Sequence, residues 1–519
     1  MKKWLLVYIF LPFVAYSQDM DLMPYKSTYF YFLQPKDNTY SVDTSNTGYS
    51  NLQYHSFSSK GQFIKVNHQQ LLTDYLLLNI NFKKFSQEGI FNRENIKLHD
   101  VSTSLLFKNQ NQTYSSQISF GYQKIILDEN GGITNYATTY FEDPLIYQVN
   151  LLNAQNEAKN RNHKIVQNFQ LTKNLSIQNK FSILSHRKIY TDQFPQSGFY
   201  QNIYLDSTLT FDSLSTISFS NDIGITYNNF TLSQIFLKRG ASINNLDSSD
   251  YNYGLSFSYR NNKIGIFFNS QFYKTDDINL SIKKEFNAKM LTNALSLDYI
   301  RSRVPILTNF YYSNHFFFDN DFANIKAAKA SYIIDNKNYS FKSIFTHYLN
   351  YIYLDEYSHY QQYQNALIYW HNKLTLKLNW KRFHTIQILE HQYSDNSLIL
   401  PYPKLNYTTS LWFESSFFSD NLNTKIGADM NYFTSYFAMA YNPALANYHL
   451  QDSDLIGDTP LISVFLKLHV QNMNITMRYR NIASLISANP NPYYLIPNYP
   501  YHSTSFQLSV IWKLNNLSN

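Results

Sequence analysis

Greasy and polar side chains alternate with a period of two through most of this chain, most cleanly from Tyr251 to Phe272. There Tyr251, Tyr253, Leu255, Phe257 and Tyr259 alternate with Asn252, Gly254, Ser256, Ser258 and Arg260. After Asn261-Asn262, the residues Ile264, Ile266, Phe268 and Phe272 interleave with Gly265, Asn269 and Gln271. This period places the apolar side chains on one face of a strand and the polar ones on the other. An Asn pair tolerates positive φ, so Asn261-Asn262 is expected to close a two-residue hairpin.

The unit recurs from about Leu71 onward. Leu76, Leu78, Ile80 and Phe82 form one apolar face, and Tyr114, Ile118, Phe120 and Tyr122 another. Ile217, Phe219, Ile223 and Ile225 follow, then Leu374, Leu376, Leu378 and Trp380. The last set is Phe506, Leu508, Val510, Trp512 and Leu514. Short polar turns recur, among them Lys173-Asn174, Asn228-Asn229, Asp335-Asn336-Lys337-Asn338 and Asn472. Longer connections cover Ile125–Asn162, Asp192–Ser215, His391–Lys404, Asn442–Thr459 and Ala488–Pro500. Short turns at one end and long loops at the other are the pattern of an outer-membrane barrel, long loops outward.

A soluble sandwich would also alternate. Here the apolar face is rich in Tyr, Phe and Trp, as lipid-facing girdles are. The opposite face is Ser, Asn, Gln, Lys and Gly, which suits a wetted lumen better than a core. In hydrocarbon every backbone amide must be paired, so a spanning sheet must close. The expected fold is all-β: a closed antiparallel transmembrane barrel of about 20 strands, within limits of 16 and 22. Counting segment by segment gives 21, an odd number for a chain with both ends on the periplasmic side. The short-turn and long-loop phases clash between Leu246 and Ile334, where Ile278–Phe286 and Asn293–Ile300 are the weakest segments.

Three regions are expected: an export signal at 1–17, a periplasmic arm or small plug at 18–70, and the barrel at 71–519. The signal reading rests on Lys2 and Lys3, the apolar run Trp4 to Val14, and Ala15-Tyr16-Ser17 before a cleavage point. That run is too short for a permanent helical span. Aromatics make up 18% of the chain and charged residues 15%, so the pattern is carried by uncharged polar gaps. The chain has no Cys, which excludes a disulfide scaffold and thiolate metal sites. Its formal charge of +7 falls to +5 without Lys2 and Lys3. The charges are scattered, so no nucleic-acid surface is expected, and the balance favours an anion-preferring pore.

Asp128-Glu129-Asn130-Gly131-Gly132-Ile133 is followed by Val149-Asn150-Leu151-Leu152-Asn153-Ala154 and then Lys159-Asn160-Arg161. On these residues, with the Asn- and Tyr-rich strands and the length, the chain resembles the putative porin family of Bacteroidota. The resemblance implies an outer-membrane β-barrel presumed to act as a passive channel. Many such barrels end on an aromatic residue, whereas here Trp512-Lys513-Leu514 is followed by five further residues.

Candidate chemistry is sparse. The Gly131-Gly132 loop could fold inward as a constriction, placing Asp128, Glu129, Glu142 or Asp143 opposite inward Lys and Arg; a surface loop turned by its glycines is the simpler alternative. Arg260, Lys377 and Lys381 are candidates to line the lumen, or to snorkel at strand ends. The Trp residues on strands are expected in the girdles. Asp319-Asn320-Asp321 lacks the Gly and distant Glu of a calcium loop and reads as a turn. No nucleophile, phosphate-loop or zinc-protease motif is present. A Ser, His and Asn trio on the wall would make a lipase, but so many Ser and Asn guarantee chance trios.

The function expected is a porin passing ions and small hydrophilic solutes through a water-filled lumen, with neither enzymatic activity nor a cofactor. Its partners would be outer-membrane lipid and the barrel-assembly machinery. The alternative is a gated outer-membrane transporter of a specific, even hydrophobic, substrate. That reading predicts inward apolar residues, for which Leu77 and Phe267 are the hints.

Overall fold

The computed structural model describes residues 33–34, 37, 48–58, 60–134, 145, 147–196, 198–272, 277–288, 291–486, 494–501 and 504–515. The 1–17 segment, most of the arm, Glu142 and Asp143 lie outside them.

Twenty-two strands form one antiparallel sheet, from Gly48–Phe57 to Ser505–Asn515. The sheet closes because the first and last strands pair, from Tyr49↔Asn515 to Ser56↔Leu508. Closure leaves no strand edge to be satisfied in lipid. The even count puts Gly48 and Asn515 at the same end of the barrel. At that end the described connections have two to five residues; at the other they reach 27 residues in the 434–460 loop.

The alternation sorts the side chains as expected. Tyr253, Leu255 and Phe257 are exposed on the outer face, whereas Asn252, Gly254 and Ser256 are buried on the inner face. Ile118, Phe120 and Tyr122 likewise face outward, and Ser119 and Gln123 inward. Trp370, Trp380 and Trp512 stand on the outside. Trp412 does not: it stacks on His384 at 5.3 Å, and its Nε1 donates to Glu414 at 3.4 Å inside the barrel.

Several expectations are corrected. The barrel starts at Gly48, not Leu71, because Gly48–Phe57 and Gly61–Thr73 are wall strands. Their alternation is faint, since Tyr49, His55, Phe57 and Phe63 carry rings on the inner face beside Asn51 and Gln53. Both weak segments are real strands, Asp277–Ala288 and Leu291–Ser302. The phase clash has another cause. Asn244-Asn245 closes a two-residue hairpin at the long-loop end, with φ of 46° and 71°, values that suit a type I′ turn. Asn261-Asn262 behaves differently: neither residue has positive φ, and Asn261 Oδ1 accepts from the amides of Lys263 and Ile264 at 2.8 and 2.7 Å. That is a side-chain-capped turn.

Candidate functional site

Described parts of several long loops fold into the mouth of the barrel and pack on its inner wall. The 434–460 loop contributes to three of the packed clusters. Its sequence, Met439 to Leu450, is rich in Ala, Tyr and Leu, which a surface loop would not keep in water. Tyr441, Ala446 and Tyr448 pack with Phe57, Phe63, Phe85, Leu98, Ile125 and Leu127 of successive wall strands. Ala444 and Leu445 join a second cluster with Ala154, Tyr190, Leu214 and Ile243. Phe433, Ala438, Ile456 and Tyr501 form a third, and Tyr351, Leu367 and Leu400 a fourth. Each fully buried large apolar side chain contributes roughly 1.5–3 kcal/mol, so closure by these clusters is a stable state.

Polar contacts fasten the loop to the wall. Tyr441 OH donates to Glu129 Oε1 at 3.0 Å, and Asn156 Nδ2 donates to the same oxygen at 2.8 Å. Asn156 Nδ2 also reaches the Pro443 carbonyl at 2.8 Å. Lys188 Nζ donates to the Leu445 carbonyl at 2.8 Å. Burial first, and then the Glu129 carboxylate, push the Tyr441 hydroxyl well above its ordinary range, so it stays a donor. From below, Gln34 Nε2 donates to the Ala446 carbonyl at 3.0 Å, and Asn160 Nδ2 donates to the Gln34 carbonyl at 3.4 Å. Leu33 is buried in the same cluster as Tyr441.

Above this closure lies a cavity of about 390 Å³. Six loops supply its walls, including Gly131, Tyr200, His315, Tyr357, Asn442 and Asn498. Tyr200 and His315 stack at 3.6 Å with 7° between the ring planes. His315 uses both ring nitrogens: Nδ1 lies 3.0 Å from the Asn202 carbonyl and Nε2 2.7 Å from Thr210 Oγ1. A carbonyl can only accept, so Nδ1 carries the proton and Nε2 accepts from Thr210. His449 Nδ1 likewise meets the Leu450 carbonyl at 2.9 Å. Burial lowers the pKa of both histidines, outweighing Asp212 near His315 and Asp355 near His449. Among the described residues no cluster of three or more His, Asp or Glu could hold a metal ion.

A comparison with protein families matches residues 10–516 to the family described as "Putative porin". The chain belongs to that family. Among solved structures, this porin-family barrel is similar to the copper transporter OprC, with a TM-score of 0.66 at 9% identity, covering 93% of this chain and 82% of that one. It is also similar to the ferric-catecholate import receptor Fiu of E. coli K12, with a TM-score of 0.59 at 11% identity, covering 90% and 82%. BauA, the ferric preacinetobactin receptor of Acinetobacter baumannii, gives 0.58 at 10% identity, covering 90% and 80%. At these identities the likeness is one of fold. No curated protein matches.

The structure separates the expected site residues. Glu129 faces the lumen, as a constriction residue would, but its partners are the 434–460 loop and Asn156. Asp128 sits on the outer side, where Asn95 and Gln155 donate to it at 3.0 and 2.9 Å and Arg93 lies 3.5 Å away. It therefore meets no inward Lys or Arg. Gly131 and Gly132 have φ of 66° and 86°, and their loop joins the 481–504 loop through the Ile133 amide and the Asn498 carbonyl at 2.9 Å. Lys377 shares the inner register with Lys373, Thr375 and Asn379, and Arg260 the inner register with Ser256 and Ser258. Lys381 belongs to a two-residue turn at the other end of the barrel, with φ of 54°, and is not a wall residue. Inward apolar residues extend far beyond Leu77 and Phe267. Those in the mouth, such as Phe63, Phe85, Leu98 and Ile125, pack with Tyr441 of the inserted loop.

Proposed function

We propose that the chain is a gated outer-membrane transporter that takes a specific solute at its outer mouth, the long-loop end. The observation that carries this is the inward packing of the 434–460 loop and its neighbouring loops against the wall. A passive pore needs a standing aqueous path. Here Tyr441, Ala446, Tyr448 and Tyr499 occupy the lumen at that level. Passage requires the 434–460 loop to move, and a ligand that favours the moved state would open the path. The resemblance to import receptors and to a copper transporter supports this reading at the level of architecture, and the family name supports passage through the lumen. The cleaved leader, the barrel-assembly machinery and surrounding lipid are part of the same reading, as is the absence of an enzymatic step.

Planar-bilayer conductance of the refolded mature chain tests it. Silence or rare brief openings are expected, with sustained steps after the 434–460 loop is loosened. Large, steady openings of the unaltered chain would restore the passive porin.

A further inference from the structure

The mouth cavity and the lumen beneath it are charged in opposite senses, and together they narrow the class of solute. The described cavity lining includes the carboxylates of Glu356 and Asp454 and contains no Lys or Arg. The two loops that supply these acids, 350–366 and 434–460, hold Asp355, Glu356, Asp452, Asp454 and Asp458, again without a Lys or Arg. The remaining polar lining is amide, hydroxyl and imidazole. His449 keeps Nε2 as an acceptor because Nδ1 serves Leu450. Rings of Tyr200, Phe316, Tyr357 and Tyr499 supply flat apolar faces. An anion entering this cavity would stand beside two carboxylates with no Lys or Arg in the described lining to meet it.

Below, the wall from Tyr339 to Arg480 presents Lys342, Lys373, Lys377, Lys425, Lys467, Arg478 and Arg480 on its inner register. Against these stand Glu390, Glu414 and Asp429. A cation that satisfied the mouth would then meet this basic wall. A neutral solute rich in hydroxyl donors fits both. Its hydroxyls can donate to carboxylates, amide oxygens and His449 Nε2, and its C–H faces can lie on the rings. Building on the transporter reading, we infer that the mouth cavity binds a neutral polyhydroxylated solute, an uncharged oligosaccharide being the class.

The test is binding of the refolded full-length barrel to an array carrying neutral, anionic and cationic oligosaccharides, followed by calorimetry with the best neutral hit. Retention of neutral glycans is expected, with little dependence on salt. Glu356→Gln with Asp454→Asn should weaken the hit about tenfold, as loss of charge-assisted hydrogen bonds does. Tyr200→Ala should weaken it independently, with both variants checked for heat-modifiable barrel mobility. Retention of charged glycans alone, no retention at all, or affinity unmoved by the variants would overturn the inference. Conductance on the same preparation keeps the two readings apart. Steady open current would sink the gate whatever the array shows, and a closed barrel that retains no neutral glycan would sink the solute class alone.

Discussion

Tyr441 and Glu129, 312 residues apart, meet through a 3.0 Å hydrogen bond that ties the inserted loop to the barrel wall. The carboxylate is fully buried and also holds Asn156 at 2.8 Å. Tyr441→Phe removes the hydroxyl and leaves the ring packed. A hydrogen bond to a charged group contributes about 1.5–3 kcal/mol, so the closed state should lose that much. Bilayer recordings should show open probability rising more than tenfold, with the melting of the barrel itself little changed. Unchanged silence would mean that the apolar clusters alone hold the loop.

The N-terminal segment is a second fastening. Leu33 packs against the underside of the loop and Gln34 holds the Ala446 carbonyl. Leu33→Asp would set a carboxylate among Phe63, Phe85 and Tyr441, which is strongly unfavourable without a partner. The expected result is longer openings, reproduced more weakly by Leu33→Ala. Identical traces for Leu33→Asp and the unaltered chain would remove the segment from the gate.

The barrel was legible in the sequence because lipid and lumen impose opposite chemistry on successive residues, as at Tyr253 and Gly254. An inward fold was weighed for the Gly131-Gly132 loop alone; that of the 434–460 loop was not read, although a signal existed. Met439 to Leu450 is too apolar for a solvated connection, and period-two arguments pass over it because its strands are only three residues long. Partners such as Tyr441 and Glu129 are joined by register and closure, which local spacing does not encode. Trp412 was misassigned for a related reason. Aromatic residues suit the girdle, and only pairing with His384 and Gly427 shows that its register faces inward.

Acid should weaken the closure. Burial holds His315 and His449 neutral, with pKa values below the ordinary 6.5. The closed state therefore binds fewer protons than an opened state in which both rings are solvated. Its stability is undiminished above pH 6.5 and is lost as pH falls from there through the lowered values. Open probability should rise between pH 7 and pH 5, and His315→Gln with His449→Gln should flatten that rise. A profile identical in the double variant would assign the acid response to other groups.

Gly132 fixes the junction of two mouth loops. Its φ is 86°, and a Cβ there would lie 2.6 Å from Asn498 Cβ and 3.0 Å from the Asn498 carbonyl oxygen. Gly132→Ala should cost about 1–3 kcal/mol of local strain, read as faster amide exchange in residues 494–501. Gly198→Ala is the matched control, since a Cβ at Gly198 meets nothing within 4 Å. Equal exchange in the two variants would show that the junction tolerates the side chain.

Once the loop is loosened, the wall rather than the mouth should set ion preference. Lys467 Nζ lies 4.8 Å from the Phe465 ring, Arg478 is paired to Asp429 at 3.1 Å, and Lys373 to Glu390 at 2.7 Å. The pairing leaves a positive surplus on the inner register, where rings of like charge select counter-ions. In the Tyr441→Phe background, the reversal potential across a potassium chloride gradient should favour chloride. Adding Lys377→Glu and Lys467→Glu replaces two positive charges with two negative ones on that wall and should move the reversal potential toward potassium. Glu356→Gln, at the mouth, should leave it nearly unchanged, because that carboxylate is exposed and screened by salt within about 10 Å at 0.1 M. The reverse pattern, with Glu356→Gln dominant, would place the selective field in the loops and make the basic wall a structural lining.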